Sequence, residues 1–442
     1  MSSSGLKCRL KISLLTFSNI IPAVSLIIAD RPVIKEMIFP IYSMGLAPNL
    51  VAVAVLHCCC PEYDDDSDGT LFYFIWRVNI HEMPSEDEVR LLLVADSHVE
   101  GYHSKLYLIN EILQTDSDDY LRFYFLKAVQ FTNPDGVIFL GDLLDAGDTS
   151  ADSDFLPSMS RFREIFLPEK DLFTFLVPGD NDVGGEGVSV TDARLSRFYG
   201  SFPAKSTQHK CKFVNFYSDN MSSGTNVDIQ SEKSPDEINV FISHFPVATQ
   251  YHTWFPIKLL QSNASLCIHG HLHRSQVIHW KNSKGSENSE ASISWLQAAN
   301  FIRTPREPLH FKLTDSVHYV KFSSEPTFVE TLKAYGELIS IGVPSCTYRS
   351  GFPHLNGIGL LQIYRNKSVT YSVLPLYNRY YTLFFYALLT TTLLGLQFIS
   401  YSVVLLFKLR FRRNIFIMTA STLLLFIIYF ECDYFINVGK LF

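Results

Sequence analysis

Arg90-Leu-Leu-Leu-Val-Ala-Asp-Ser-His98 is an unbroken run of apolar residues that stops on an aspartate and a histidine. The same pattern returns in Gly136-Val-Ile-Phe-Leu-Gly-Asp-Leu-Leu-Asp145 and in Phe173-Thr-Phe-Leu-Val-Pro-Gly-Asp-Asn-Asp182. It returns again in Val240-Phe-Ile-Ser-His244 and in Leu266-Cys-Ile-His-Gly-His-Leu-His273. Short β-forming runs with little alternation fit strands covered on both faces, and the amphipathic stretch 120–131 between two of them fits a helix. The predicted class is α/β, with a site at the carboxyl ends of the strands, where residues distant in sequence meet in one crevice.

Asp and His offer the oxygen and nitrogen donors that suit Mn, Fe or Zn, and no cysteine lies inside these polar clusters. Each cluster alone is weak: a Gly-Asp turn usually caps a helix, and a lone His after a strand is usually structural. The ordered set DxH, GDxxD, GDND, lone His and GHxH, each directly after a strand-like run, is far more specific.

Outside this segment the composition changes. Of 442 residues 47% are hydrophobic and 14% aromatic, with 35 Phe, and the apolar residues gather at the two ends. The run 381–407 is long enough for a bilayer core of about 30 Å. A basic stretch, Lys408-Leu-Arg-Phe-Arg-Arg413, separates it from a second apolar run, 415–430. The positive-inside tendency makes that stretch cytoplasmic and the preceding domain luminal. At the other end the apolar stretches 12–29 and 37–60 are divided by a charged segment, and Lys7, Arg9 and Lys11 favour a cytoplasmic start with a single signal anchor. The expected organisation is an anchor region over 1–63, a luminal catalytic domain over 64–377 and transmembrane helices over 378–442.

The sequons at Asn220, Asn263 and Asn366 are compatible with a luminal glycoprotein. A formal net charge of -7 without a central basic run gives no footprint for nucleic acid. Cys58-Cys-Cys60 sits at the end of an apolar run, where unmodified or lipidated thiols both fit. Cys211, Cys267 and Cys346 are an odd set that implies no disulfide map. The run Asp64-Asp-Asp-Ser-Asp-Gly69 starts like a calcium loop, but Ile75 stands where such a loop needs an acidic residue, so it reads as a linker.

The ordered set resembles the calcineurin-like metallophosphoesterase superfamily over about residues 90–274. The flanking apolar ends, Gly141-Asp-Leu-Leu-Asp-Ala-Gly147 and Asp182-Val-Gly-Gly-Glu186 look most like its metallophosphoesterase 1 group, which includes the GPI-anchor ethanolamine-phosphate phosphodiesterase and its fungal relatives. The resemblance implies a four-layer β-sandwich flanked by helices and two divalent ions, Mn2+ foremost, with Fe or Zn as alternatives. One ion would be held by Asp96, His98 and His273, the other by Asp180, His244 and His271, with Asp142 bridging. Against the superfamily pattern Gly-Asn-His-Asp/Glu, Asp180 stands at the Asn position and Asn181 at the His position. Asn181 can donate a hydrogen bond to a phosphoryl group but cannot deliver a proton. The expected catalytic set is therefore Asp142, Asn181 and an acid, for which His252 comes first and His103 and Glu186 follow. Asp145 and Asp182 are expected to orient ligands from behind.

The resemblance further implies a luminal phosphodiesterase that removes ethanolamine phosphate from a mannose of the GPI glycan. Its substrates would be GPI-anchored proteins, its setting the bilayer of the endoplasmic reticulum, its exit sites or the Golgi, and its role remodelling during ER-to-Golgi transport. Two other readings stay open: a phosphomonoesterase or pyrophosphohydrolase on another luminal or lipid phosphate ester, and a non-catalytic cargo receptor or scaffold.

Overall fold

In the computed structural model the described residues are 76, 86–101, 107–167, 172–201, 208–219, 221, 237–246, 255–281, 308–313, 337–350 and 355–406. All lie within the compact unit Ile75–Phe442. The expected anchor region 1–63, the linker, the run 415–430, His103 and His252 lie outside the described residues.

Every quoted apolar run forms a strand: β1 (Glu88–Val94), β2 (Gly136–Phe139), β3 (Phe173–Leu176), β6 (Ile238–Ser243) and β7 (Leu266–His269). The others are β4 (Gln208–Cys211), β5 (Val214–Ser218), β8 (Gln276–Lys281), β9 (Leu309–Lys312), β10 (Glu337–Gly342), β11 (Gly357–Tyr364) and β12 (Ser368–Pro375). They build two six-stranded sheets, ordered β3-β2-β1-β11-β12-β9 and β4-β5-β6-β7-β10-β8. Strands β1, β2 and β3 run parallel, as do β5, β6, β7 and β10 in the second sheet. In both sheets the carboxyl ends of parallel strands therefore point one way, and those ends carry the polar clusters.

The apolar runs lack alternation because both faces of each strand are covered. In β1, Leu91 and Leu93 enter a core shared with Val214, Phe216, Val240 and Ile242 of the second sheet. Leu92 and Val94 enter a second core with Phe125 of α1 (Tyr107–Thr132) and Phe155 and Phe162 of α2 (Asp152–Phe166). The ring of Phe139 lies 5.2 Å from Phe162 and 5.5 Å from Phe166. Burying a side chain of this size contributes roughly 1.5–3 kcal/mol. Further helices are α3 (Asp180–Val183), α4 (Asp192–Gly200), α5 (Phe255–Ser262) and α6 (Arg379–Leu406). The mixed sheets and flanking helices match the expected α/β sandwich.

One expectation changes. The helix expected over 120–131 begins at Tyr107, because polar residues in its first half find distant partners: Asp116 binds Arg379 and Asp118 binds Arg161. The apolar run 381–407 does coincide with one continuous helix of 28 residues, α6. No helix among the described residues is long and apolar enough to cross a membrane. Thr390, Thr391, Thr392 and Gln397 interrupt the middle of α6. Cys211, Cys267 and Cys346 are buried free thiols.

Candidate metal centre

Five of the seven expected ligands hold the backbone in the left-handed region: Asp96 (φ 51°), His98 (43°), Asp142 (51°), His271 (66°) and His273 (52°). Such residues cost of order 1–3 kcal/mol each and persist only where surrounding structure enforces them. Here the enforcement is backbone pairing between loops. His98 N donates to Asp142 O at 3.0 Å, Val99 N to Leu143 O at 2.9 Å, and Gly270 N to His244 O at 3.1 Å. The chain after β1, β2 and β7 thus turns sharply and directs these ligands into the crevice.

The side chains collect in two groups. Asp96, His98, Asp142 and His273 form one, and Asp180, His244 and His271 form the other, with donor atoms in each group within 4.8 Å of one another. In the first, His98 Nε2 faces His273 Nε2 at 3.2 Å. In the second, His244 Nε2 lies 2.9 Å from Asp180 Oδ1 and 3.3 Å from His271 Nδ1. Asp142 stands between them, with Oδ2 3.8 Å from His98 Nε2 and Oδ1 3.5 Å from His244 Nε2.

The surroundings fix which nitrogen is presented. His244 Nδ1–H donates to the carbonyl of Leu140 at 2.7 Å, so the Nε2 lone pair faces the centre. His271 Nδ1 faces the centre and its Nε2 points to Glu186 Oε2, 3.6 Å away. Asp182 is buried and does not meet a ligand histidine as expected. Its carboxylate accepts from Gly179 N (2.9 Å), Leu143 N (3.1 Å) and Leu144 N (3.0 Å), joining the two Gly-Asp loops. Asp145 lies 3.8 Å from His98 Nδ1, and the amide Nδ2 of Asn181 lies 3.2 Å from the same nitrogen. Asn181 therefore addresses a ligand candidate in this arrangement.

Electrostatics mark the place as built for cations. Burial pushes Asp96 and Asp142 upward, Asp142 far above the usual carboxylate range, despite the opposing charge of His244. Burial would likewise raise Asp180, yet hydrogen bonds from His244 and His271 hold it far below that range. His98 is pressed down to about 3, first by burial and then by the charge of His273. Burial opposes protonation of His244, but Asp142, the hydrogen bond to Asp180 and the charge of Asp96 carry it up to about 10. Asp96 Oδ2 is buried without a hydrogen-bond partner. A buried carboxylate oxygen without a donor, beside facing imidazole nitrogens, fits a divalent cation, and the oxygen-nitrogen donor set fits Mn, Fe or Zn.

Residues 89–275 match the calcineurin-like phosphoesterase family. Over that stretch the chain is similar to calcineurin-like phosphoesterases. The chain is 31% identical over 104 residues to cell division control protein 1 of Saccharomyces cerevisiae, a match covering 23% of this chain and 21% of that protein. The match thus spans about a fifth of that curated relative's length. Among solved structures, a conserved Streptococcus pneumoniae protein described as a predicted phosphoesterase aligns over 64% of this chain and 93% of its own. The TM-score is 0.26 and the identity 9%, so that likeness carries no argument.

Residues 89–275 are similar to metal-dependent phosphoester hydrolases, and both donor groups fall inside them and could hold two metal ions. Sequence reading missed Glu100 and Arg349, which form an ion pair beside His98. They stand 249 positions apart and carry no local signal.

Proposed function

We propose that the protein is a dimetal phosphodiesterase acting on ethanolamine phosphate attached to a mannose of the GPI glycan, and that it remodels GPI-anchored proteins between the endoplasmic reticulum and the Golgi. The observation that carries the dimetal reading is the placement of Asp142, whose two oxygens face the two donor groups separately. The substrate reading rests on the resemblance of the Gly141–Gly147 and Asp182–Glu186 segments to the ethanolamine-phosphate diesterases.

Two divalent cations held there, Mn2+ foremost, would lower the pKa of a water between them and offset the charge on the phosphoryl oxygens. The chain's own contribution is orientation. The Leu140 carbonyl fixes the tautomer of His244, and Asp182 locks the loop that carries Asp142 to the loop that carries Asp180. Asn181 can donate a hydrogen bond but no proton. The acid for the leaving alkoxide must come from elsewhere, and His252 keeps first place as a candidate outside the described residues.

A setting at a lipid surface is supported by α6, whose Phe384, Leu388, Phe398 and Ile399 are exposed. Its hydroxyls turn inward: Thr392 Oγ1 donates to Leu388 O and Ser402 Oγ to Phe398 O, each at 2.8 Å. Hydroxyls satisfied within their own helix suit an apolar surrounding. On this reading α6 rests its apolar flank in the bilayer and holds the cleft near lipid-attached glycans.

The test is mass analysis of GPI glycans from cells lacking the protein and re-expressing either wild type or Asp142→Asn. The proposal expects a mannose-linked ethanolamine phosphate to accumulate and only wild type to remove it. An unchanged glycan in the deficient cells would refute the substrate.

A further inference from the structure

The loop after β10 closes onto the first ligand loop. Ser345 bridges Ala95, Cys346 N donates to Ala95 O at 3.0 Å, and Ser345 Oγ donates to the carbonyl of Asp96 at 2.8 Å. Within the loop, Ser345 Oγ also meets Ser350 Oγ at 2.7 Å and takes the backbone N–H of Thr347 at 3.3 Å. This stitching delivers Arg349 to Glu100, two residues beyond His98. Arg349 Nη2 donates to Glu100 Oε1 at 2.7 Å, and Nη1 pairs with Oε2. The Glu100 carbonyl is itself held by Arg161 Nη1 at 2.7 Å.

The pair is lopsided: the Glu100 side chain is 3% exposed and that of Arg349 28%. A buried carboxylate thus grips a guanidinium that is itself partly exposed. The grip uses one N–H from each terminal nitrogen, out of the five that a guanidinium offers in a planar fork. Glu100 follows His98 by two residues and the loop that carries Arg349 is tied to the carbonyl of Asp96, so the pair stands beside the His98 side of the metal centre.

We propose that Arg349 is a substrate-contacting residue that receives a non-bridging phosphoryl oxygen at the His98 side of the centre, with Glu100 as its positioning residue. The Glu100–Arg349 pair is neutral as a whole, so what it offers is the directed N–H groups of a fixed guanidinium rather than added net charge. A guanidinium recognises phosphate oxygens through parallel N–H bonds and stays charged at every physiological pH. The inference rests on the phosphoesterase reading of the centre and not on the identity of the ester.

Calorimetric titration of inorganic phosphate into the Mn-loaded full-length protein tests it, with metal content measured on each sample. Arg349→Lys keeps the charge but loses the fork. The double variant Glu100→Gln with Arg349→Met removes the pair together, so no buried carboxylate is left unpaired. The proposal expects the metal content of wild type in both variants, phosphate binding at least about tenfold weaker in the double variant, and an intermediate loss in Arg349→Lys. In turnover, the double variant should lose more on a dianionic monoester than on the matching monoanionic diester. Wild-type phosphate affinity in the double variant, no phosphate binding by wild type, or a loss that merely follows lost metal would each overturn it. Because binding is read without turnover, a protein that holds phosphate through Arg349 yet leaves GPI glycans unchanged sinks the substrate reading alone.

Discussion

At the scale of single residues, the centre is a set of groups held where they would not settle by themselves. Gly179 shows the tightness: a β-carbon there would fall against Asp142 Oδ1 and the Asp142 backbone nitrogen. Gly141, at φ +86°, would set one 2.6 Å from His244 Nδ1. The protonation of the metal-free centre gives a testable sign. His244, raised to about 10, keeps above neutrality a proton that the unfolded chain has released, and the raised Asp96 and Asp142 act in the same sense. The contribution of His244 is therefore fully present below the ordinary histidine range near pH 6.5 and lost as pH rises toward 10. His98 and His269, lowered to about 3 and about 4, act in the opposite sense, but only below the ordinary histidine range near pH 6.5. Thermal unfolding of chelated protein should show Tm falling between about pH 7 and pH 9, with divalent cations restoring more at the higher pH, because they replace the bound protons. A Tm that rises over that interval would contradict the assignment.

At the scale of elements, the root of α6 is tied to the catalytic domain. Arg379 binds Asp116 of α1 at 2.6 Å, Tyr348 Oη donates to the same carboxylate at 2.6 Å, and Tyr120 Oη donates to Tyr377 O at 2.7 Å. The Arg379 and Asp116 side chains are 12% and 20% exposed. Arg379→Met should therefore cost about 2 kcal/mol, the scale of hydrogen bonds to charged groups, and speed hydrogen exchange in the first turn of α6. Unchanged exchange there would mean that the tie holds nothing. The elements also show what sequence makes legible. Strands before the ligand clusters declare themselves because burial on both faces leaves short apolar runs. Strands such as β4, Gln208-His-Lys-Cys211, do not, since edge position permits polar residues. The early start of α1 was hidden because Asp116 and Asp118 are paid for by arginines far along the chain.

At the scale of the whole molecule, the centre exists because two sheets present parallel strand ends on one side. The first sheet supplies Asp96, His98, Asp142 and Asp180 from the loops after β1, β2 and β3, and the second supplies His244, His271 and His273 after β6 and β7. The candidate ligands were readable from order alone, whereas their division into two groups, with Asp142 between, needed the fold. Arg349 was unreadable for the same reason: its position comes from the closure of one loop over another. The most direct measurement is anomalous diffraction from crystals of the Mn-loaded protein. The account predicts two peaks roughly 3.5–4 Å apart, the usual spacing of a two-metal site, one among Asp96, His98 and His273 and the other among Asp180, His244 and His271, with Asp142 reaching both. A single peak, or two peaks that Asp142 does not bridge, would contradict it.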